Sequence, residues 1–298
     1  MQRASLRLRH ARPSCASALA RFYSTAGSSA NSEQLVRLEA DHLPDGRPSG
    51  VYVMTLNRPD KFNALTEAVG EEFRAHVADL AAMPPRSLRS LVLTGAGPAF
   101  SAGGDLDFLW ARTKTPAEDN TEIMLKFYKR FLSIRSLPVP VIAAINGPAV
   151  GAGFCLAMSS DLRIAAKDAK LSANFVKLGL HPGLGATHYM PRSLGPQVAN
   201  RLLFTGETLT GDEAARLGVV LEAVEKNQVL PHALNLARTI ALNSPSAVRL
   251  LVRTLRYDDD VQLERALLRE ADGQAHSYAS ADLQEGLTAI KAKRPPTF

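Results

Sequence analysis

Two glycine-rich turns are the segments whose residue types could do chemistry. The first turn is residues 98–106, which read PAFSAGGDL, and the second is residues 145–154, which read INGPAVGAGF. Each turn follows an apolar stretch of strand length and leads towards a helix, where the first backbone N–H groups are free and carry partial positive charge. Two such donors on one oxygen form an oxyanion hole, which stabilises an enolate or a tetrahedral oxyanion.

A dinucleotide site is the alternative for these turns. Neither turn completes a Gly-x-Gly-x-x-Gly fingerprint, because Phe100 stands where Gly95 and Gly97 would need a third glycine. The sequence also lacks a P-loop, a Gly-x-Ser-x-Gly elbow and a His-Glu-x-x-His helix. With only two cysteines, Cys15 and Cys155, we predict neither a disulfide framework nor a metal site.

Strands and helices alternate around the two turns. Strands rich in β-branched and apolar residues are predicted at residues 51–56, 88–94, 139–145 and 162–165. Helices are predicted from apolar spacing and capping residues at 69–80, 116–136, 152–159, 229–242, 246–256, 260–278 and 281–292. The alternation predicts an α/β fold, and the last helices predict a C-terminal helical layer on it.

Residues 1–23 have the composition of a mitochondrial presequence. They contain five arginines and no acid, and an Arg-, Ser- and Ala-rich segment without acids is typical of transit peptides. We expect cleavage after Tyr23, a location in the mitochondrial matrix, and a flexible segment with the first strand at residues 24–47. A disordered basic N-terminus without a targeting role is the alternative.

The net charge of +6 comes mainly from this N-terminal segment. Without its five arginines, 30 basic side chains face 29 acidic ones, so the rest of the chain offers no electrostatic case for nucleic acid. No apolar run reaches the ~18 residues needed to cross a bilayer. We therefore expect neither a nucleic-acid partner nor membrane insertion.

Short motifs along residues 48–298 resemble those of the crotonase (enoyl-CoA hydratase/isomerase) superfamily. In chain order they are LNRP (56–59), NAL (63–65), FSAGGD (100–105), PVIAAING (140–147), GAG (151–153), DLRIA (161–165), PGLG (182–185), LFTG (203–206) and the ending KRPP (293–296). The resemblance implies a spiral of ββα units over residues 48–235. It also implies a C-terminal helical trimerisation region over residues 236–298, and hence a homotrimer or a dimer of trimers.

The resemblance further implies a site for an acyl-CoA thioester. The N–H groups of Gly104 and Ala152 would hold the thioester carbonyl oxygen. The residues expected to contact CoA are Lys61, Asn63, Ala64, Leu65, Ala102, Asp105 and Leu106. No cofactor is implied beyond the CoA moiety of the substrate.

Two positions depart from the family pattern. Hydratases of the family use two glutamates, which move protons as water adds across a double bond; the corresponding residues here are Cys155 and Phe175. His181, whose residue type can act as a general base at neutral pH, and Asp107 are candidate replacements, and Cys155 could act as a nucleophile. A structural role is the alternative for each: a hydrogen-bonded loop histidine, a surface carboxylate and a buried thiol.

The sequence therefore predicts an acyl-CoA enzyme of mitochondrial fatty-acid or amino-acid catabolism that stabilises a thioester enolate or oxyanion. Enoyl-CoA hydratase/isomerase-like turnover is the leading hypothesis. Hydrolysis or decarboxylation of an acyl-CoA on the same fold is one alternative. A CoA-binding scaffold subunit without catalysis is the other.

Overall fold

The computed structural model describes residues 34–298, so the predicted presequence lies outside the described residues. The strands are β1 (Val36–His42), β2 (Pro48–Leu56), β3 (Ser90–Gly95), β4 (Val141–Ile145), β5 (Ala149–Val150), β6 (Leu162–Ala166), β7 (Leu171–Ser172) and β8 (Glu222–Val224). The helices are α1 (Glu67–Ala81), α2 (Leu106–Arg112), α3 (Ala117–Leu132), α4 (Ala152–Met158), α5 (Ala186–Thr205), α6 (Gly211–Arg216), α7 (Val229–Ala241), α8 (Pro245–Tyr278) and α9 (Ala281–Lys291).

A six-stranded sheet runs through the fold in the order β1-β2-β3-β4-β6-β8. Strand β1 is antiparallel to β2, and the other neighbouring strands are parallel. Every residue of β3 and β4 is buried, as expected for parallel strands covered on both faces. A second sheet pairs β5 with β7 in parallel. Parallel strands connected through helices confirm the predicted α/β class.

Helix α1 follows the apolar spacing that predicted it. The Thr66 hydroxyl caps it by accepting a hydrogen bond from Val69 N at 3.2 Å. Its buried residues are Val69, Gly70, Phe73, Val77 and Leu80. The Phe73 ring packs on Phe131 of α3, with the ring centroids 5.7 Å apart, so α1 and α3 share one apolar interface.

The C-terminal layer contains one long helix where the sequence predicted two. Helix α8 runs without a break from Pro245 to Tyr278, through the acidic residues 258–260. Arg135 neutralises Asp259 and Asp260, at nitrogen–oxygen distances of 2.6 and 2.8 Å. Separate helices at 246–256 and 260–278 were a wrong prediction, because the charged junction between them finds a counter-charge in the tertiary structure and contains no helix breaker.

Helix α9 lies directly against the short 3₁₀ helix Asn174–Leu178. A Cβ on Gly286 of α9 would lie 2.3 Å from Leu178 O, and a Cβ on Gly179 would lie 2.6 Å from the carbonyl carbon of Asp282. Both contacts need glycine. The close fit fixes the wall that the 3₁₀ helix contributes to the site described below.

In the part of the chain from residue 34 onwards, no helix is both long enough and apolar enough to span a bilayer.

Candidate active site

The two glycine-rich turns lie side by side in the fold. Ser101 and Ala149 form a parallel bridge, in which Val150 N donates to Ser101 O at 3.0 Å. Phe100 N and Ser101 N both donate to Pro148 O, at 3.0 and 3.1 Å. The fold therefore brings together the two segments that the sequence singled out for oxyanion chemistry.

Glycine is required where the two turns touch. Gly103 has a φ of +91°, and a Cβ there would lie 2.5 Å from Val150 O and 3.3 Å from Ala152 N. A Cβ on Gly153 would lie 2.5 Å from Ser101 O. A side chain at either glycine would push the two backbones apart, so their contact depends on both residues.

The amides of Gly104 and Ala152 are free donors at this contact. Leu65 N donates to Gly103 O at 2.7 Å, and Asp105 N donates to Leu65 O at 3.1 Å; the Gly104 amide between them therefore points away from Leu65. Ala152 begins α4, and the first N–H groups of a helix have no acceptor within it. In the described part of the chain no acceptor pairs with either N–H, and both residues line one cavity.

Two asparagines hold the start of the first turn and the residues that lead into it. Asn63 is 2% exposed, and its Nδ2 donates to Ala96 O at 2.9 Å and to Ala99 O at 2.8 Å. Asn146 Nδ2 donates to Gly95 O at 2.9 Å. These bonds satisfy carbonyls that the turn would otherwise leave unpaired. Asn63 thus braces the turn, and its contact with CoA stays a prediction.

A cavity of about 130 Å³ lies beside the two free amides. Its wall is mainly apolar and is formed chiefly by Phe108, Leu109, Met124, Phe127, Phe175 and Leu184. The polar side chains in the wall are those of Tyr128, Asn174, Gln274 and Tyr278. Among the described residues that line it there is no Asp, Glu, His, Cys, Lys or Arg. Elsewhere between residues 34 and 298, no group of three or more potential metal ligands converges.

The side chains that the sequence offered for proton transfer or nucleophilic attack lie outside this wall. Cys155 is fully buried in α4, and burial raises the pKa of its thiol well above the ordinary value. The His181 ring packs on Gly273, with Nδ1 2.6 Å from Pro182 O. Asp107 is exposed on α2. Their placement does not support the catalytic roles hypothesised for them.

Phe175 and Asn174 are the residues of the 3₁₀ helix that face the second turn. A Cβ on Gly151 would lie 3.5 Å from Asn174 Oδ1 and 4.0 Å from Phe175 Cζ. Phe175 is buried and lines the cavity. One position at which the resemblance led us to look for a glutamate thus presents an aromatic ring, with a carboxamide beside it.

Three polar residues of the wall were missed by sequence reasoning. The Tyr128 hydroxyl donates to Gln274 Oε1 at 2.7 Å, and Gln274 Nε2 donates to His181 O at 2.9 Å. The Tyr278 hydroxyl lies 3.5 Å from Met124 Sδ. Burial raises the pKa of both tyrosines, so both are neutral hydroxyls near pH 7. In the sequence, the two tyrosines differ from other residues of their helices only in occupying positions of the apolar helical repeat.

Glu270 is a fully buried carboxylate that the sequence analysis also missed. Its Oε2 accepts a hydrogen bond from Gly185 N at 2.7 Å, and its Oε1 accepts from Thr187 N at 2.7 Å and from Thr187 Oγ1 at 2.6 Å. Burial raises the pKa of Glu270, and these hydrogen bonds oppose that rise. Glu270 therefore caps α5 from α8 and fixes the preceding loop, of which Leu180, Gly183 and Leu184 line the cavity.

The residues predicted to contact CoA fall into two groups. Ala102 and Leu106 are exposed and line the cavity. Lys61 is exposed, and Ala64 and Leu65 are buried. Ala102 N donates to Phe62 O at 2.8 Å, which links the 61–65 segment to the cavity wall. Asp105 caps α2, since its Oδ1 accepts from Asp107 N at 3.0 Å.

A family model described as Enoyl-CoA hydratase/isomerase matches residues 46–298. The chain belongs to this family. The resemblance drawn from the sequence motifs is thereby confirmed. The chain is an acyl-CoA-binding enzyme of the enoyl-CoA hydratase/isomerase type.

Relatives of this enoyl-CoA hydratase/isomerase family member align with it over most of its length. The chain is 36% identical to the crotonyl-CoA hydratase of Syntrophomonas wolfei, over 83% of this chain and 93% of that protein. It is 35% identical to the 1,2-epoxyphenylacetyl-CoA isomerase of Escherichia coli, over 84% of this chain and 95% of that protein. The relatives thus include more than one reaction.

Solved structures of the family share the fold. An enoyl-CoA hydratase from Bacillus halodurans superposes with a TM-score of 0.77 at 26% identity, covering 86% of this chain and 100% of that one. EchA1_1 from Mycobacterium paratuberculosis superposes with a TM-score of 0.76 at 33% identity, covering 89% and 98%. These likenesses confirm the predicted crotonase-like α/β fold with its C-terminal helical region.

Proposed function

We propose that this enzyme polarises an acyl-CoA thioester with the amides of Gly104 and Ala152, and that its turnover uses no pair of carboxylates for proton transfer. The observation that carries the proposal is the composition of the cavity. Two free amides reach it, while its described lining contains no Asp, Glu or His. Cys155 and Phe175 occupy the positions where the resemblance places the glutamates of a hydratase.

The two amides and the missing acid–base groups affect different steps of the reaction. Two amide donors stabilise negative charge on the thioester oxygen, so they favour the enolate. General acid–base groups contribute about 10²- to 10⁴-fold to the rate of proton transfer. An oxyanion hole without such groups stabilises the enolate but leaves proton transfer to water, so hydration of a double bond is slow.

The rate of crotonyl-CoA hydration tests the proposal, with the Syntrophomonas wolfei hydratase assayed in parallel. We expect hydration to be at least about 100-fold slower than by that relative, while α-proton exchange of butyryl-CoA in D₂O, with water as the base, is slow but measurable. The His181→Ala variant should behave as the wild type, because its ring lies outside the cavity. Hydration at the rate of the relative, or its loss in His181→Ala, would contradict the proposal.

Decarboxylation of a 2-carboxyacyl-CoA is the second candidate, and the lack of a base in the cavity favours it. The bond between the α-carbon and the carboxylate breaks, CO₂ leaves, and the electron pair forms the enolate that the two amides stabilise. Water then supplies the proton to the α-carbon. Release of CO₂ from methylmalonyl-CoA measures this reaction. Tight binding of acyl-CoA without turnover of any thioester would support the scaffold alternative.

We further propose that the chain forms a homotrimer or a dimer of trimers through residues 236–298. Helix α8 carries the exposed apolar residues Leu250, Tyr257, Val261 and Leu268, which recur at intervals of seven, four and seven and so share one face. An exposed apolar stripe on a long helix is typical of a contact between subunits.

The matrix of the mitochondrion is the proposed location, where the enzyme would act in fatty-acid or amino-acid catabolism. The proposal rests on the arginine-rich, acid-free composition of residues 1–23. Import of the full chain into isolated mitochondria, with and without residues 1–23, tests it. Import that does not depend on these residues would contradict it.

A further inference from the structure

Asn174 is a polar residue of the cavity wall whose side chain has no hydrogen-bond partner. It begins the 3₁₀ helix Asn174–Leu178, is half-buried and lines the cavity. Among the described residues, no group donates to its carboxamide or accepts from it. The other polar side chains of the wall each have a partner inside the protein; they are Tyr128, Gln274 and Tyr278. A carboxamide has one acceptor oxygen and two N–H donors, so that of Asn174 keeps its full capacity for a ligand or a water molecule.

The Asn174 carboxamide lies beside the second turn, next to the residue that supplies the Ala152 amide. A Cβ built on Gly151, which precedes Ala152, would lie 3.5 Å from Asn174 Oδ1 and 4.0 Å from Phe175 Cζ. Apart from the turn itself, no other atom of the described residues lies within 4 Å of that point. The space beside Gly151 is therefore open, and it is bordered by one polar atom and one aromatic edge. A water molecule there has Asn174 Oδ1 as its acceptor, and no carboxylate of the described chain lines the same cavity.

Backbone packing, and not the carboxamide, holds Asn174 in position. A Cβ on Gly206 would lie 3.3 Å from Asn174 Cα, so the two backbones are in close contact. Ser172, two residues earlier, donates from its Oγ to Glu207 O at 3.0 Å. At the other end of the 3₁₀ helix, Gly286 of α9 packs directly against the backbone. The fold therefore does not depend on a hydrogen bond from the Asn174 side chain, which is free to act on what the cavity holds.

We infer that Asn174 is a positioning residue, whose carboxamide holds a water molecule against one face of the α-carbon of the acyl group. The inference rests on the proposed function, since the thioester must lie at Gly104 and Ala152. The α-carbon is two bonds from the oxygen that Ala152 N would hold, so a water beside Gly151 is close to it.

The water, and not Asn174, takes the proton in this step. The bond between the α-carbon and its hydrogen breaks, the proton passes to the water, and the electron pair forms the enolate that the two amides stabilise. The protonated water passes its extra proton to the solvent, and return of a solvent proton to the α-carbon reverses the step. A neutral carboxamide is not a general base, so Asn174 decides only the side from which the water approaches.

Loss of deuterium from butyryl-CoA labelled stereospecifically at one or the other α-position tests the inference, with NMR as the readout. We expect the wild type to exchange one position at least about five-fold faster than the other, the size of one neutral hydrogen bond. Asn174→Leu has a similar size and no polar group, so it should slow the faster exchange about five-fold and bring the two rates together. Asn174→Asp places a true base at the same point. It should raise the faster rate about 100-fold or more, and that rate should increase with pH to a plateau as the carboxylate ionises.

Asn227→Asp serves as the control, because Asn227 is an exposed asparagine of another 3₁₀ helix, Lys226–Gln228, and it should leave both exchange rates unchanged. A wild type that exchanges both positions equally, or a preference that survives in Asn174→Leu, would overturn the inference and leave the proposed function standing. Exchange by Asn174→Asp that is no faster than by Asn227→Asp would also overturn it. A wild type that exchanges neither position faster than solvent without enzyme would overturn the proposed function as well, so the two failures are distinguishable.

Discussion

The proposed oxyanion site requires that certain residues have no Cβ. Gly103 combines a left-handed backbone with direct contact to the second turn, so it can be neither substituted freely nor moved. Gly104, which supplies the amide, has room for a Cβ, because the nearest atom would be Leu109 Cδ2 at 3.5 Å. The glycine that allows the two turns to touch is therefore the neighbour of Gly104, the glycine proposed to donate its amide to the thioester.

We predict that Gly103→Ala lowers kcat/KM for a turned-over acyl-CoA by about 100-fold or more, the size of losing one oxyanion donor. A methyl group there would lie 2.5 Å from Val150 O and must push the two turns apart. Steady-state kinetics measure the effect.

The matched control for Gly103→Ala is Gly46→Ala. Gly46 has a φ of +83°, but a Cβ there would meet nothing within 4 Å. Gly46→Ala thus introduces similar backbone strain, of about 1–3 kcal/mol, far from the site. If Gly103→Ala loses no more activity than Gly46→Ala, the close approach of the two turns is not needed for catalysis.

Among the elements, helix α8 positions the cavity through a buried carboxylate. Glu270 reaches across to the first N–H groups of α5, whose preceding residue, Gly185, has no side chain that could cap them. The cap is thus supplied from about 85 residues away in sequence. The same carboxylate fixes the end of the loop before α5, which lines the cavity.

We predict that Glu270→Gln lowers the free energy of unfolding by about 2 kcal/mol or more, because an amide N–H₂ replaces one acceptor of buried donors. Urea denaturation measures the change. Glu264→Gln is the control on the same helix, where the carboxylate is 61% exposed and 3.7 Å from Lys129 Nζ. We expect it to cost less than about 0.5 kcal/mol. Equal effects of the two substitutions would contradict the capping role.

The C-terminal end of the chain contains a pH-dependent contact. Hydrogen bonds from Arg294 and from Thr297 N lower the pKa of Glu285 from 4.5 to about 2. Because the folded pKa is depressed, the ionised contact stabilises the tail above pH 4.5 and is lost as the pH falls towards 2.

We predict that an NMR titration of the Glu285 carboxyl carbon has its midpoint near 2, and that Arg294→Gln moves the midpoint up towards 4.5. The substitution removes the cation that favours the charged carboxylate. A wild-type midpoint near 4.5 would show that the contact does not form in solution.

At the scale of the whole molecule, the apolar stripe on α8 is a surface of the described chain that the proposed assembly would cover. We predict that replacing both Leu250 and Val261 with Glu shifts the protein from the proposed trimer or dimer of trimers to a monomer, because buried charges at a subunit contact are costly. Light scattering after size exclusion gives the mass. Gln284→Glu adds charge at an exposed position of α9 and should leave the mass unchanged. A wild-type monomer would refute the proposed assembly.

The sequence by itself determined the fold class and the two turns of the site. Apolar runs of strand length, helical spacing and glycine clusters are local patterns, and the order of short motifs identified the family. Residues 98–106 and 145–154 were singled out because free amides at a helix start follow from local backbone geometry.

Only the tertiary structure decided which side chains line the cavity. His181, Asp107 and Cys155 have suitable chemistry, yet the fold turns them away from the cavity and brings in Tyr128, Gln274 and Tyr278 from distant helices. The type and spacing of residues predict the helix or strand to which a side chain belongs. They do not predict which other part of the fold that helix or strand packs against. The sequence also did not predict that α8 is continuous or that Glu270 is buried. The residues that stabilise these features, Arg135 for α8 and Thr187 for Glu270, lie far away in the chain. The counter-charges and hydrogen bonds that make these features stable exist only once the chain has folded.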